Sequence, residues 1–161
     1  MRLGLGIAVL AILIDQLVKW AILDGLDIAN RPPIEVTPFF NLVMVWNYGV
    51  SFGMLAHPGS LVPYFLIAVA LVIVGVMVVW LWQCRDRVIA LAIGLVIGGA
   101  LGNVIDRFRF GAVADFFDVH LMGWHWPAFN IADSAIFIGV VILLWDGLIR
   151  AKPKNDKHLH N

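Results

Sequence analysis

Hydrophobic residues fill this chain in four long blocks, and charged residues collect between them. Leu3–Leu23, Leu61–Trp82, Val88–Ile105 and Ile131–Ile149 each fall within the roughly 17–25 apolar residues that a helix needs to cross a hydrocarbon core. Lipid offers no partner for a bare peptide group, so each block is expected to be a helix. The second block carries no charge, and the third is bordered by Arg87 and Asp106. The first block follows Arg2 and looks in part like a cleaved leader. No small-x-small site follows it, and Asp15 and Lys19 interrupt it, so a retained membrane helix is expected.

Composition supports this pattern. Of 161 residues, 61% are hydrophobic and 14% charged, and the mean hydropathy is +0.91. Soluble domains carry about 25% charge, so this is neither an ordinary soluble domain nor a disordered chain. We expect one integral membrane domain over 1–161. Eleven basic residues balance eleven acidic ones, which leaves no overall field to attract nucleic acid. The lone cysteine, Cys84, excludes an internal disulfide and a cysteine-based zinc site.

Four spans put both termini on one side. Seven basic residues fall on the terminal side (Arg2, Arg85, Arg87, Arg150, Lys152, Lys154 and Lys157) and four on the other (Lys19, Arg31, Arg107 and Arg109). The excess predicts cytoplasmic termini, a cytoplasmic tail over 150–161, and outward-facing segments 24–60 and 106–130.

No residue from Val36 to Cys84 is charged. Within this stretch, Phe39–Tyr48 is rich in β-branched and aromatic residues and predicts one or two short strands. Such strands would form either an interfacial lid anchored by Trp46 or a platform for a lipid-bearing peptide bound by strand addition. The 106–130 segment carries most of the outward charge.

Charges in the spans are costly, about 2.5–3.5 kcal/mol each at a helix centre. Asp15 and Lys19 are four apart on one face and can pair, either as a structural ion pair or as a contact to substrate or headgroup. Gly94, Gly98 and Gly102 form a small-residue stripe that suits close helix packing. Asn103, Asp106 and Arg107 follow, and Arg107 can neutralise Asp106 or a nearby site carboxylate. Asp133 opens the fourth block and, alone, reads as a helix cap. Asp115, alone, reads as a turn residue.

Taken together, Asp115 and Asp133 lie on connected elements near one membrane face. Two carboxylates in a poorly solvated site split their pKa values, giving the acid and the base that peptide hydrolysis by water requires. Their spacing in sequence does not establish that they meet. There is no HExxH zinc signature. A Ser–Lys pair of Lys19 with Ser51 or Ser134 is a rival protease reading. A non-enzymatic membrane subunit, with its charges forming an ion path, is a rival of another class.

Five stretches identify a family when read in order: Asp15-Gln16 with Lys19; Asn47-Tyr48-Gly49-Val50-Ser51-Phe52-Gly53; Gly98 to Arg107; Val113-Ala114-Asp115-Phe116; and Phe129 to Ser134. The chain resembles the lipoprotein signal peptidases (signal peptidase II), bacterial four-span aspartyl proteases. The resemblance implies an all-α membrane fold of four transmembrane helices with a small extracytoplasmic β-cradle and flap. It also implies cleavage of diacylglyceryl-modified prolipoproteins just before the lipidated cysteine, at the outer face of the bacterial inner membrane. It puts the catalytic pair on Asp115 and Asp133, and supporting or substrate-binding roles on Asp15, Lys19, Asn47, Gly49, Asn103, Arg107 and Asn130. The partners expected are the lipidated substrate and membrane lipid, with no nucleic acid and no metal or cofactor, and the chain is expected to act as a monomer.

Overall fold

A computed structural model describes residues 1–49 and 61–150, with side chains through Leu148. Its helices are α1 (Arg2–Trp20), α2 (Val62–Gln83), α3 (Arg87–Phe110) and α4 (Ile131–Arg150). All four are long and apolar enough to cross a membrane. A π-helical turn, Ala21–Gly25, and a short 3-10 turn, Ile28–Asn30, extend α1. The strands are β1 (Ile34–Thr37), β2 (Phe40–Asn47), β3 (Val113–Leu121) and β4 (Trp124–His125), in spatial order β1-β2-β3-β4 with every pairing antiparallel. The strand expectation for 39–48 is met by β2. The flap implied for the 24–60 region, with Ser51 and Gly53, falls partly on residues outside those described.

Helix α3 is the central post. Its glycines are the reason α1 and α4 can reach it. A Cβ added at Gly94 would collide with the Gly4 carbonyl oxygen, and one at Gly98 would lie 2.6 Å from the Ala8 carbonyl oxygen. At Gly102 it would lie 2.6 Å from Asp15 Oδ2. The contacts advance together along both helices, so α1 and α3 run parallel. On another face, Gly99 meets the Ala132 carbonyl oxygen, and Gly139 of α4 approaches Ala92. These contacts run in opposite order, so α4 is antiparallel to α3. Ala8, Leu81, Ala90, Ile93 and Ile97 fill the core toward the far end of the bundle. Ile22, Ile28 and Phe116 form a second core beneath the sheet.

The third helix runs five residues past the expected end at Ile105. Charge marks where the apolar block stops, but the helix continues because Asp106 is fully buried against partners on α1. It stops at Gly111, whose φ of +72° suits glycine and whose N–H bonds the Arg107 carbonyl at 3.0 Å. Asp115 is also placed differently from its isolated reading. It sits in β3, where Val113, Ala114 and Phe116 are buried. Its two flanking apolar runs pair with β2, so the strand forms around the carboxylate rather than turning at it.

The close approaches yield a stability prediction. Gly94→Ala should destabilise the protein by about 1–3 kcal/mol, because the collision is with backbone. Gly75→Ala, with nothing within 4 Å of the added carbon, should be near neutral. Thermal unfolding of both variants in detergent checks this.

Candidate active site

The sheet and the polar helix ends meet at one end of the bundle. Position Asn47 in β2 lies diagonal to Asp115 in β3, because Val45 pairs with Asp115 and Asn47 with Val113. Diagonal neighbours on one sheet face are within side-chain reach. Asn47 Nδ2 donates to Asp115 Oδ2 at 3.0 Å. The Gly49 N–H donates to Asn47 Oδ1 at 2.9 Å, which fixes the amide so that its NH2 faces the carboxylate. Gly49 has φ +118°, and a Cβ there would collide with Leu66. Only glycine suits that position.

Asp133 and Asn130 form a reciprocal cap at the start of α4. The Asp133 N–H donates to Asn130 Oδ1 at 2.9 Å, and the Asn130 N–H donates to Asp133 Oδ2 at 3.2 Å. This is the capping-box arrangement with an acid at the third helical position. The cap also bridges to the strand. Asn130 Nδ2 donates to Asp115 Oδ1 at 2.7 Å and reaches Asn103 Oδ1 at 3.2 Å. Asn103 Nδ2 donates in turn to the other Asp133 oxygen at 2.8 Å. The two carboxylates therefore share one set of asparagine amides. Asp115 and Asn130 are nearly or fully buried.

Burial pushes the Asp115 carboxyl up to about 7, and the negative charge of Asp133 adds to the rise. Hydrogen bonds from Asn47 and Asn130, and the charge of Lys19, oppose it. This is the behaviour of two carboxylates that cannot both ionise cheaply.

Below the pair lies a buried ion cluster. Lys19 Nζ is 2.8 Å from Asp15 Oδ2 and 2.8 Å from Asp106 Oδ2. Asp106 is thus paired by Lys19 and not by Arg107, because the buried face of α3 at Asp106 meets α1. Arg107 donates from a terminal nitrogen to the Asn103 carbonyl at 3.4 Å, and its charge acts on Asp133 and Asp115. Its buried Nε has no hydrogen-bond partner among the described residues. Ser134 Oγ donates to the Asn130 carbonyl at 3.0 Å, and Lys19 is held by two carboxylates, so this pair forms no Ser–Lys dyad. Ser51 lies outside the described residues.

All nine residues singled out in the sequence converge here. Gln16, which has no role in the motif pattern beyond standing beside Asp15, donates to Asp15 at 3.1 Å and to Asp106 at 3.0 Å. Its position beside Asp15, one turn before Lys19, was the available signal. Beside Asp133 an apolar groove of about 570 Å³ is lined by Trp126, Phe129, Ser134, Phe137 and Ile138. Among the described residues no group of three or more His, Cys, Asp or Glu is arranged to hold a metal ion.

Residues 7–149 match the family model described as Signal peptidase (SPase) II. The chain belongs to the signal peptidase II family. It is 44% identical over 153 residues to the lipoprotein signal peptidase of Rhizorhabdus wittichii, covering 94% of this chain and 89% of that protein. It is 44% identical over 154 residues to that of Aeromonas hydrophila, covering 94% and 91%. A solved structure described as a bacterial membrane enzyme, obtained by the in meso method at 2.3 Å, superposes with a TM-score of 0.80 at 30% identity, covering 99% of this chain and 96% of that one. A second such structure, at 1.9 Å, gives 0.77 at 32% identity, covering 92% and 94%. Signal peptidase II membership replaces the ion-path reading.

A pH dependence follows from Asp115. Its folded pKa is about 7, above the unfolded value of about 3.9. The folded state binds more protons between these values, so stability should fall as pH rises from about 4 to 7. Asp115→Asn removes this loss. Its melting temperature should therefore gain on the wild type between pH 5 and pH 8, measured by thermal unfolding in detergent.

Proposed function

We infer that this chain is an aspartyl endopeptidase that removes the signal peptide from diacylglyceryl-modified prolipoproteins, with Asp115 and Asp133 as its catalytic pair. The observation that carries the reading is the pair itself: two carboxylates on separate elements, joined through Asn130 and Asn103. Family membership supplies the substrate class. The pair's low solvation supplies the chemistry.

One proton is shared between the carboxylates. Asp115, pushed up to about 7, holds it in a growing share of molecules as pH falls through neutral, and is assigned as the acid with Asp133 as base. Asp133 takes a proton from water as the water oxygen bonds to the scissile carbonyl carbon. Asp115 gives its proton to the carbonyl oxygen. As the C–N bond of the resulting diol breaks, Asp133 passes the proton it took from water to the leaving nitrogen and one diol hydroxyl returns a proton to Asp115, which restores the starting pair. The products are the signal peptide with a free carboxyl group and the lipidated cysteine with a free amine. Arg107, whose charge acts on both carboxylates, is assigned the orienting of the pair or of the substrate backbone.

The surroundings suit a greasy, extended substrate. The β1 ladder ends at Leu42, so the β1-side edge of Val43–Asn47 has no strand beside it among the described residues. A substrate strand added there would run toward Asn47. The apolar groove beside Asp133 is suited to hold hydrocarbon. The excess of basic residues on the terminal side supports cytoplasmic termini, with the sheet and site at the outer face of the inner membrane. The exposed pair Trp124 and Trp126, with ring centroids 5.7 Å apart, suits an interfacial position. One chain carries both carboxylates, which supports a monomeric enzyme.

Asp115→Asn and Asp133→Asn should each lower turnover by about 10³-fold or more while the protein stays folded. A gel-shift assay in detergent, with a prolipoprotein offered with and without its diacylglyceryl group, reads this out. Wild type should cut only the lipidated form. Retained turnover in either variant removes that residue from the mechanism.

A further inference from the structure

The buried cluster beneath the pair touches the backbone at two informative places. Asp106 Oδ2 accepts the N–H of Ala114 at 3.2 Å. Asp15 Oδ1 accepts the N–H of Ala132 at 2.9 Å. Ala114 and Ala132 are the residues immediately before Asp115 and Asp133. The two carboxylates are tied to each other by Lys19, 2.8 Å from both, and by Gln16 Nε2, which donates to both. Asp15, Lys19 and Asp106 are all fully or almost fully buried.

We propose that Asp106 is a positioning residue for the peptidase reaction: joined through Lys19 to Asp15, it forms a truss that holds the backbone N–H of the residue before each aspartate and so sets the distance between them. This rests on the assignment of Asp115 and Asp133 as the catalytic pair. The truss joins four elements. Asp15, Gln16 and Lys19 come from α1, Asp106 from α3, and the clamped peptides open the working stretch of β3 and start α4. The chain between β3 and α4 is itself tied to β3 by backbone bonds between Phe117 and Phe129, and the truss adds a second tie, from α1 and α3, next to each aspartate. Gly102 leaves room for it, since an added Cβ would lie 2.6 Å from Asp15 Oδ2.

The cluster also sets charge. Lys19 acts on Asp115, and Asp106 and Asp15 offset its charge. Further charge reaches this point from Arg107 and Arg109 on α3 and from Asp133 on α4. With Asp106 made neutral, the cluster loses one of its two negative charges while Lys19 stays paired with Asp15, and that loss favours the ionised form of Asp115. The alkaline limb of the rate profile, where Asp115 loses its proton, should then move to lower pH. A role confined to holding the fold together would leave that limb in place.

The experiment compares wild type with Asp106→Asn, Gln16→Met, Asp115→Asn and Asp133→Asn, all purified in detergent. Turnover of a lipidated substrate is followed across pH, with melting temperature as the folding control. Asp106→Asn should lower kcat about tenfold or more, as expected of a sub-ångström to ångström misplacement of reacting groups. Its KM should stay within about twofold, and its alkaline limb should fall by about half a pH unit. Gln16→Met, which leaves no charge unpaired, should lower kcat about threefold at unchanged KM. A folded Asp106→Asn with wild-type kcat and an unmoved limb overturns the proposal. If Asp106→Asn does not fold, Gln16→Met at wild-type kcat overturns it and the threefold loss supports it. Activity in Asp115→Asn or Asp133→Asn sinks the underlying assignment instead, so the two failures are distinguishable.

Discussion

The Lys19 ammonium group is almost wholly shielded from solvent and touches two carboxylates, one on its own helix and one on α3. A charge in such a place is tolerable only if its partners stay. Removing one partner of a buried ion pair typically costs about 3–5 kcal/mol. The bundle geometry around it is therefore tightly constrained. Helix α1 must lie close to α3, which the glycine face of α3 permits. The backbone of β3 and the first turn of α4 must also present N–H groups to the remaining carboxylate oxygens. An apolar membrane protein has acquired a polar interior at one end because each polar group there completes another.

The neutral amides extend this economy to the two aspartates. Asn130 caps α4 and at the same time donates to Asp115. Asn103 links Asn130 to Asp133. Amides can hold carboxylates close without neutralising them, unlike an arginine, which would draw both into the ionised form. The residues that make Asp133 part of a helix cap also link it to Asp115 through Asn130 and Asn103.

The neighbourhood divides sharply into polar and apolar parts. The site end gathers charged and amide groups, whereas the groove beside Asp133 is built of Phe129, Phe137, Ile138 and Trp126. A hydrolase acting on a lipid-bearing peptide needs both: a protected place for water and a place for hydrocarbon. The sheet, anchored through the second core at Ile22, Ile28 and Phe116, forms one wall of the polar half. Its order β1-β2-β3-β4 places Asn47 on the strand next to Asp115.

Much of this was legible in the residues alone. Four apolar blocks dictate four helices because lipid leaves the backbone no other way to satisfy itself. Glycines at four-residue spacing dictate close packing. The β-branched and aromatic run at 39–48 points to a strand. The motifs in order also marked every residue of the aspartate network. Several other features needed the fold. Charge at Asp106 suggested a helix end, yet the helix continues because its partner comes from α1, more than eighty residues earlier. Asp115 suggested a turn, yet it lies in a strand because β2 pairs with its flanks. The ion pair of Asp106 with Lys19, and the clamps at Ala114 and Ala132, join residues from separate elements. Sequence order carries local periodicity and capping, which depend on neighbours in the chain. It does not carry the meeting of distant polar groups, because that depends on how closely the glycine faces let the helices pack.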